Sequence, residues 1–222
     1  MTQRLDFEQT RAALMAAAQA VIDSQSLLTK ADQAIGDGDH GVGMARGFKA
    51  LRSELGKELP GPNLASLFKA GGRAIMMTSG GASGVIFGSF FIGCAKRLNA
   101  DSLDARSFAL ALAGGLDEVR ARGNANPGDK TMIDALLPAV EAAHVAAERG
   151  ESLDDVVADA ARAAVEGVEA TKSMIAMTGK AKSLGNRSLG FVDPGALTLS
   201  LLLKSFADET RRFGLPQDSQ GS

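Results

Sequence analysis

Three aspartates and a histidine, Asp32, Asp37, Asp39 and His40, fall in one short run, Asp32-Gln-Ala-Ile-Gly-Asp37-Gly-Asp39-His40-Gly41. Glycines between them let the chain fold back on itself, so the three carboxylates can converge. Carboxylates held together repel one another unless a cation lies between them. A hard divalent ion suits such a set, and magnesium completes its octahedron with water and substrate phosphates. Two simpler matches fail. Gly36-Asp-Gly38-Asp-His-Gly41 satisfies G-x-G-x-x-G, but no strand signal precedes it, and its acidic residues would repel a bare pyrophosphate. An EF-hand loop counted from Asp37 would need Glu at its twelfth position, where Phe48 stands. A solvated turn uses the same Asp and Gly residues, so the pattern alone leaves that reading open.

Three further glycine-flanked segments have candidate chemistry. Gly80-Gly-Ala82-Ser83-Gly84 opens a helix, where free backbone N–H groups and the helix dipole can meet an anion. Close packing through small residues explains it equally well. No G-x-x-x-x-G-K-[ST] is present, which excludes a P-loop. Gly123-Asn-Ala-Asn-Pro127-Gly-Asp129-Lys130-Thr131-Met132 is a turn into a helix. Asp129 is its expected cap, Thr131 is in reach of a phosphate, and Met132 is suited to pack on a planar base. Gly179-Lys180-Ala-Lys182-Ser-Leu-Gly185-Asn-Arg187, followed by Asp193-Pro194-Gly195, offers three basic groups to phosphates, or to solvent alone. His144 and Cys94 read as an ordinary helix residue and a small core residue.

These segments join long Ala/Leu-rich stretches with a helical period. Leu14, Ala18, Val21 and Leu28 share one face, as do Ile133, Leu136, Leu137 and Val140, and Val157, Ala161, Ala164 and Val168. The periods predict eight helices, at roughly 6–30, 42–58, 63–78, 82–98, 104–122, 130–149, 152–177 and 194–212. Asn63, Ser152 and Asp193-Pro194 are expected N-terminal caps. Strand alternation is poor throughout. The connection from Thr178 to Val192 is long for a helical bundle, a size at which connections tend to have a function. The chain reads as one all-α domain over 1–213 with a polar tail, 214–222.

Composition narrows the function. Across 222 residues, hydrophobic residues make up 45% and charged residues 23%, and the net charge is −2. That balance gives no electrostatic attraction to nucleic acid or anionic membrane. Trp and Tyr are absent, which removes the usual stacking platform for single-stranded nucleic acid. A lone Cys94 forms no internal disulfide and fits a reducing compartment. The apolar stretch Val85–Ala95 is too short to span a bilayer, and the N-terminus has no signal-like run. A cytoplasmic location is expected.

Ala34-Ile-Gly-Asp-Gly-Asp-His-Gly41, Gly80-Gly-Ala-Ser-Gly84, Pro127-Gly-Asp-Lys-Thr-Met132 and Asp193-Pro-Gly-Ala196 occur in the order and spacing of a known family. Together they make the chain resemble the L-type (DhaL) nucleotide-binding subunits of dihydroxyacetone kinases. The resemblance implies an antiparallel barrel of eight helices with the nucleotide at one end. It implies that Asp32, Asp37 and Asp39 hold two magnesium ions. It places His40, Gly41, Gly43, Ala82, Ser83, Gly123, Thr131, Met132, Lys180, Asp193 and Gly195 around ADP or ATP. Two positions depart from the family pattern. Gly43 stands where Asn or Thr is usual, and Lys180 where Arg is common, which replaces a planar fork by a point charge.

The implied activity is phosphoryl transfer to an alcohol group, in which a protein mostly positions groups and neutralises charge. A K-type partner subunit would hold the small ketose, and a phosphotransferase-system protein is a further partner in some systems of this kind. Two other readings share the motifs: the nucleotide domain of a fatty-acid-kinase-like enzyme, which expects a longer chain, and a magnesium–nucleotide sensor that docks on a regulator.

Overall fold

The computed structural model describes residues 4–58 and 63–214. Among them are nine α-helices: α1 (Phe7–Asp23), α2 (Gln25–Ile35), α3 (His40–Leu55), α4 (Leu64–Thr78), α5 (Gly81–Arg97), α6 (Ala105–Gly123), α7 (Ile133–Glu148), α8 (Leu153–Ala170) and α9 (Pro194–Gly214). Two short strands, β1 (Arg4–Leu5) and β2 (Leu103–Asp104), pair antiparallel. The polar tail expected over 214–222 lies, from residue 215 on, outside the described residues.

Eight of the helices form a closed ring. α1 packs on α3, each helix from α3 to α9 packs on the next, and α9 returns to α1. Apart from the 171–193 connection the links are short, and ring neighbours follow one another in sequence, so the helices run alternately up and down. This is the antiparallel eight-helix barrel expected for the chain. The ninth helix comes from a break in the expected 6–30 helix. Ser24 takes φ −86°, ψ 8°, and its N–H closes the preceding turn on Ala20 O at 3.1 Å. The residues there, Asp23 and Ser24, compete for backbone groups and are poor in helix interiors. α2 therefore stands outside the ring and packs on α3 and α9, with Asp32 in its last turn.

Two other boundaries differ from those expected. α7 begins at Ile133, not near 130, because Gly128 and Lys130 take positive φ (92° and 60°), which no helix accommodates. α8 ends at Ala170, followed by a 3-10 turn, Thr171–Ser173, rather than running to 177. The expected caps at Asn63 and Ser152 are made.

The barrel interior is filled by aromatic residues from three adjacent helices. Phe48 of α3 meets Phe87 and Phe91 of α5 with ring centroids 6.1 and 6.2 Å apart, both edge-to-face, and Phe68 of α4 lies 6.1 Å from Phe91. Where side chains are absent, backbones touch. A Cβ at Gly93 would lie 2.2 Å from Gly114 O, so α5 and α6 approach closely only because both residues are glycine. An apolar void of about 30 Å³ is bordered by Leu14, Phe90, Phe108 and Leu203 among others. Among the described residues, no helix is long and apolar enough to cross a membrane.

Candidate functional site

In an up-and-down barrel alternate connections share an end. The connections after α2, α4, α6 and α8 therefore lie together, and these contain all four glycine-flanked segments. The same topology points the N-termini of α3, α5, α7 and α9 toward that end. Four positive dipole ends make it a place for anions.

The aspartate loop sits at its rim. Each of Asp32, Asp37 and Asp39 places a carboxylate oxygen within 4.8 Å of the others. Asp32 is buried in the last turn of α2, and its Oδ2 accepts from the His40 N–H at 3.1 Å. A Cβ at Gly36 would lie 2.3 Å from Asp32 Oδ1, so glycine is needed for the chain to pass this carboxylate. Asp37 and Asp39 are exposed. The Lys180 ammonium bridges them, hydrogen-bonded to Asp37 Oδ2 and 2.9 Å from Asp39 Oδ2. This contact holds the Asp37 carboxyl below its ordinary pKa and raises that of Lys180. An ammonium thus already balances two of the three carboxylates, and all three offer the oxygen donors that a hard divalent cation takes. Lys180 was expected to face phosphates; here it faces the carboxylates.

His40 is buried at the first turn of α3. Its Nδ1 lies 3.0 Å from Ser83 Oγ and its Nε2 2.8 Å from Thr198 Oγ1. Burial lowers its pKa, against the opposing pull of Asp32 and Asp39. Ala82 and Ser83 lie in the first turn of α5, after Gly80 and Gly81, both at positive φ. No side chain caps this helix, so its first N–H groups are available. Gly41 and Gly43 have packing reasons of their own: a Cβ at 41 would strike Gln25 O at 2.4 Å, and one at 43 would lie 3.2 Å from Ser79 O.

The family model for the DAK2 domain matches residues 34–208. The chain belongs to the DAK2 domain family. Within it the chain is of the L type. It is 38% identical over 182 residues, 82% of the chain and 86% of the relative, to the ADP-binding subunit DhaL of PEP-dependent dihydroxyacetone kinase 1 from Listeria innocua. Identity to the DhaL subunit of Escherichia coli is 36%, over 81% of the chain and 86% of the relative. The crystal structure of the dihydroxyacetone kinase of C. freundii in complex with AMP-PNP and Mg2+ matches with TM-score 0.69 and 28% identity over 94% of the chain. The chain spans about a third of that longer protein, 35% of its length. These relatives are phosphotransferases with an alcohol group as acceptor, the enzyme class expected from the resemblance.

The remaining DAK2 segments of the chain meet in an enclosed knot. Lys130, 3% exposed, extends its ammonium to Thr171 O and Phe191 O, at 2.5 Å each. Asp134 accepts from Gly128 N at 2.5 Å and Thr131 N at 2.7 Å, and so organises the start of α7. The expected cap, Asp129, instead accepts from Asn126 N at 2.7 Å, because the positive φ at Lys130 turns the helix start away from it. Thr171 Oγ1 accepts from Asp193 N at 3.0 Å. Asp193 does cap α9, accepting from Ala196 N at 2.7 Å. Asp193 is half-buried, and desolvation raises the pKa of its carboxyl to about 7, helped by the charge of Asp134 and opposed by its hydrogen bonds and Lys130. Gly195 fits beside it, where a Cβ would lie 3.0 Å from Asp193 Oδ2. Gly123 closes α6, and Thr131 Oγ1 accepts from Ile133 N at 3.2 Å. Met132, at 4% exposure, lies in the core against Gly195 rather than facing outward.

Sequence reasoning gave no role to Lys130, Asp134, Thr171 or Thr198. Asp134 had a signal, an acidic residue in the first turn of a helix after a Pro-Gly turn. The partners of Lys130 are backbone carbonyls, which leave no trace in residue type.

Proposed function

We propose that this chain is the nucleotide-binding subunit of a two-component dihydroxyacetone-type kinase. It would hold ADP or ATP through magnesium at the barrel end where the four glycine-flanked segments meet. The observation that carries this reading is the convergence of Asp32, Asp37 and Asp39 beside four helix N-termini. Carboxylates alone repel phosphates and helix N-termini alone repel metal ions; together they suit a metal–phosphate pair. Bound there, magnesium supplies counter-charge to the phosphates. Two ions are the expected number for the three aspartates.

The chain's own groups divide the rest of the task. Ala82, Ser83 and the turn before them offer backbone N–H groups to phosphate oxygens. Lys180 competes with a metal ion for Asp37 and Asp39, so metal binding would free its ammonium for phosphate. Gly123, Thr131, Met132, Asp193 and Gly195 would border the ribose and base, with Met132 moving out of the core to do so. His40, Gly41 and Gly43 shape the phosphate side. The ketose belongs to a K-type partner. Exposed apolar side chains at this end, Val42, Met77, Val85, Met177 and Phe191, suit the docking of such a partner. A phosphotransferase-system protein is the proposed phosphoryl donor if ADP stays bound, as the names of the DhaL relatives suggest.

A coupled ADP-release assay with dihydroxyacetone, with and without a K-type subunit, tests the reading. Turnover only with the partner is expected. Turnover by the chain alone would show that it holds its own ketose site. Magnesium–ADP binding with no turnover in either case would favour the sensor reading.

A further inference from the structure

The hydrogen-bond chain through His40 has a direction. Thr198 Oγ1 has one hydrogen, and it is directed to Pro194 O at 2.9 Å, one turn back in α9. With that hydrogen committed, Thr198 Oγ1 faces His40 Nε2 at 2.8 Å as an acceptor. That contact therefore requires the hydrogen to be on Nε2. A neutral imidazole has a single N–H, which leaves Nδ1 bare, and the contact to Ser83 Oγ at 3.0 Å is then donated by the serine. Thr198 is fully buried, so water does not compete for its hydroxyl.

We propose that Thr198 is a positioning residue that selects the Nε2–H tautomer of His40 and thereby turns the Ser83 hydroxyl hydrogen inward. Ser83 then meets a ligand through oxygen lone pairs. It is matched to a donor, such as water bound to a hard cation, and phosphate oxygens are left to the backbone N–H groups of the α5 N-terminus. This deepens the nucleotide-site reading and rests on it for the ligand. The tautomer itself rests only on the contacts above. The alternative arrangement has Thr198 donating to Nε2 and Nδ1–H donating to Ser83; it gives up the bond from Thr198 to Pro194 O.

Long-range 1H–15N correlation spectra of the full chain at about pH 8, above the ordinary imidazole pKa, read the tautomer directly. The chain has two histidines, and His144→Gln assigns the exposed one. The wild-type protein and Thr198→Ser are expected to carry the hydrogen on Nε2. Thr198→Val keeps side-chain size but removes the acceptor, and is expected to move the hydrogen to Nδ1. Calorimetry with magnesium–ADP should then show binding weakened about fivefold in Thr198→Val and within about twofold of wild type in Thr198→Ser. A wild-type hydrogen on Nδ1 overturns the proposal whatever the stability of the variants. So does a Thr198→Val protein that keeps Nε2–H, or one that changes tautomer with unchanged affinity. Failure of the wild-type chain to bind magnesium–ADP would instead overturn the nucleotide-site reading, with the tautomer result still standing.

Discussion

The aspartate loop and the Lys130 knot lie at the same end of the barrel, and both set lysine against aspartate. They differ in what surrounds the charges. Lys180 meets Asp37 and Asp39 in the open, with side chains more than half exposed, where water screens the attraction and either partner can be exchanged cheaply. Lys130 is enclosed, gives its hydrogens to two carbonyls, and lies near Asp134 and Asp193. Removing the ammonium there leaves a buried carbonyl, Thr171 O, without its donor. The exposed set is therefore available for a ligand. The enclosed set holds the frame: it ties the start of α7 to both roots of the 174–192 connection, which brings Lys180 to the aspartates.

The largest effect should come from cutting the enclosed set. Lys130→Met leaves Thr171 O and Phe191 O without their donor and two acidic groups without their nearest cation. A loss of roughly 2–4 kcal/mol of folding stability is expected, read as a lower urea midpoint at unchanged slope. A loss below about 0.5 kcal/mol would mean that water replaces the ammonium, and the contrast between the two regions would collapse.

The opposite pattern is expected at the exposed set. Asp37→Asn and Asp39→Asn should leave the melting temperature of the protein alone unchanged. Repulsion among the carboxylates alone would make either substitution stabilising, but Lys180 already offsets that repulsion, so little remains to relieve. With magnesium–ADP, the wild-type protein should gain melting temperature, since a ligand of the folded state stabilises it; both variants should lose that gain. If both retain it, the three aspartates hold no metal and the loop is a turn.

The uneven legibility of the chain follows from the same contrast. The aspartate loop could be read because its three acidic residues lie close in sequence, and the helices because buried faces repeat every three or four residues. Once up-and-down order is granted, all four glycine-flanked segments fall at one end without further information. The Lys180 contacts join residues 143 and 141 apart, with no local pattern to announce them. Ser24, which divides the expected first helix, falls in the seven-residue step from Val21 to Leu28. The period records which face is buried, and Leu28 is buried on the far side of the break as Val21 is before it.

Asp193 belongs to the enclosed set but titrates, which gives a smaller, pH-dependent test. Its pKa in the folded protein is about 7, above the ordinary carboxylate value. The folded state then binds a proton that the unfolded state releases between about pH 4 and 7. Stability from this group is present below that window and is lost as pH rises through it, with a slope of at most about 1.4 kcal/mol per pH unit. Asp193→Asn keeps an acceptor for Ala196 N and removes the titration. Its stability relative to wild type should therefore rise from pH 4 to pH 7.5. A constant difference across that range would place the Asp193 carboxyl in contact with water.

The smallest effect expected is at Gly43, between the two sets. By resemblance to its family this position usually has Asn or Thr, and restoring a polar side chain suggests a tighter grip on phosphate. The structure argues otherwise. A Cβ here would lie 3.2 Å from Ser79 O, and that carbonyl also accepts from Arg46 Nη2, whose Nε is 2.6 Å from Thr78 O. Arg46 thus holds the α4–α5 turn against α3, and the turn must retreat a few tenths of an ångström to admit any side chain. Gly43→Ala isolates this crowding, and Gly43→Asn adds the donor. If crowding governs, both variants should lose up to about 1 kcal/mol of stability, and neither should bind magnesium–ADP more tightly than wild type. Tighter binding by Gly43→Asn together with weaker binding by Gly43→Ala would show that the turn yields and that the missing side chain does limit the grip. Adding Arg46→Ala separates the cases further: with the turn released, the stability cost of Gly43→Ala should fall, a coupling that distant, independent positions do not show.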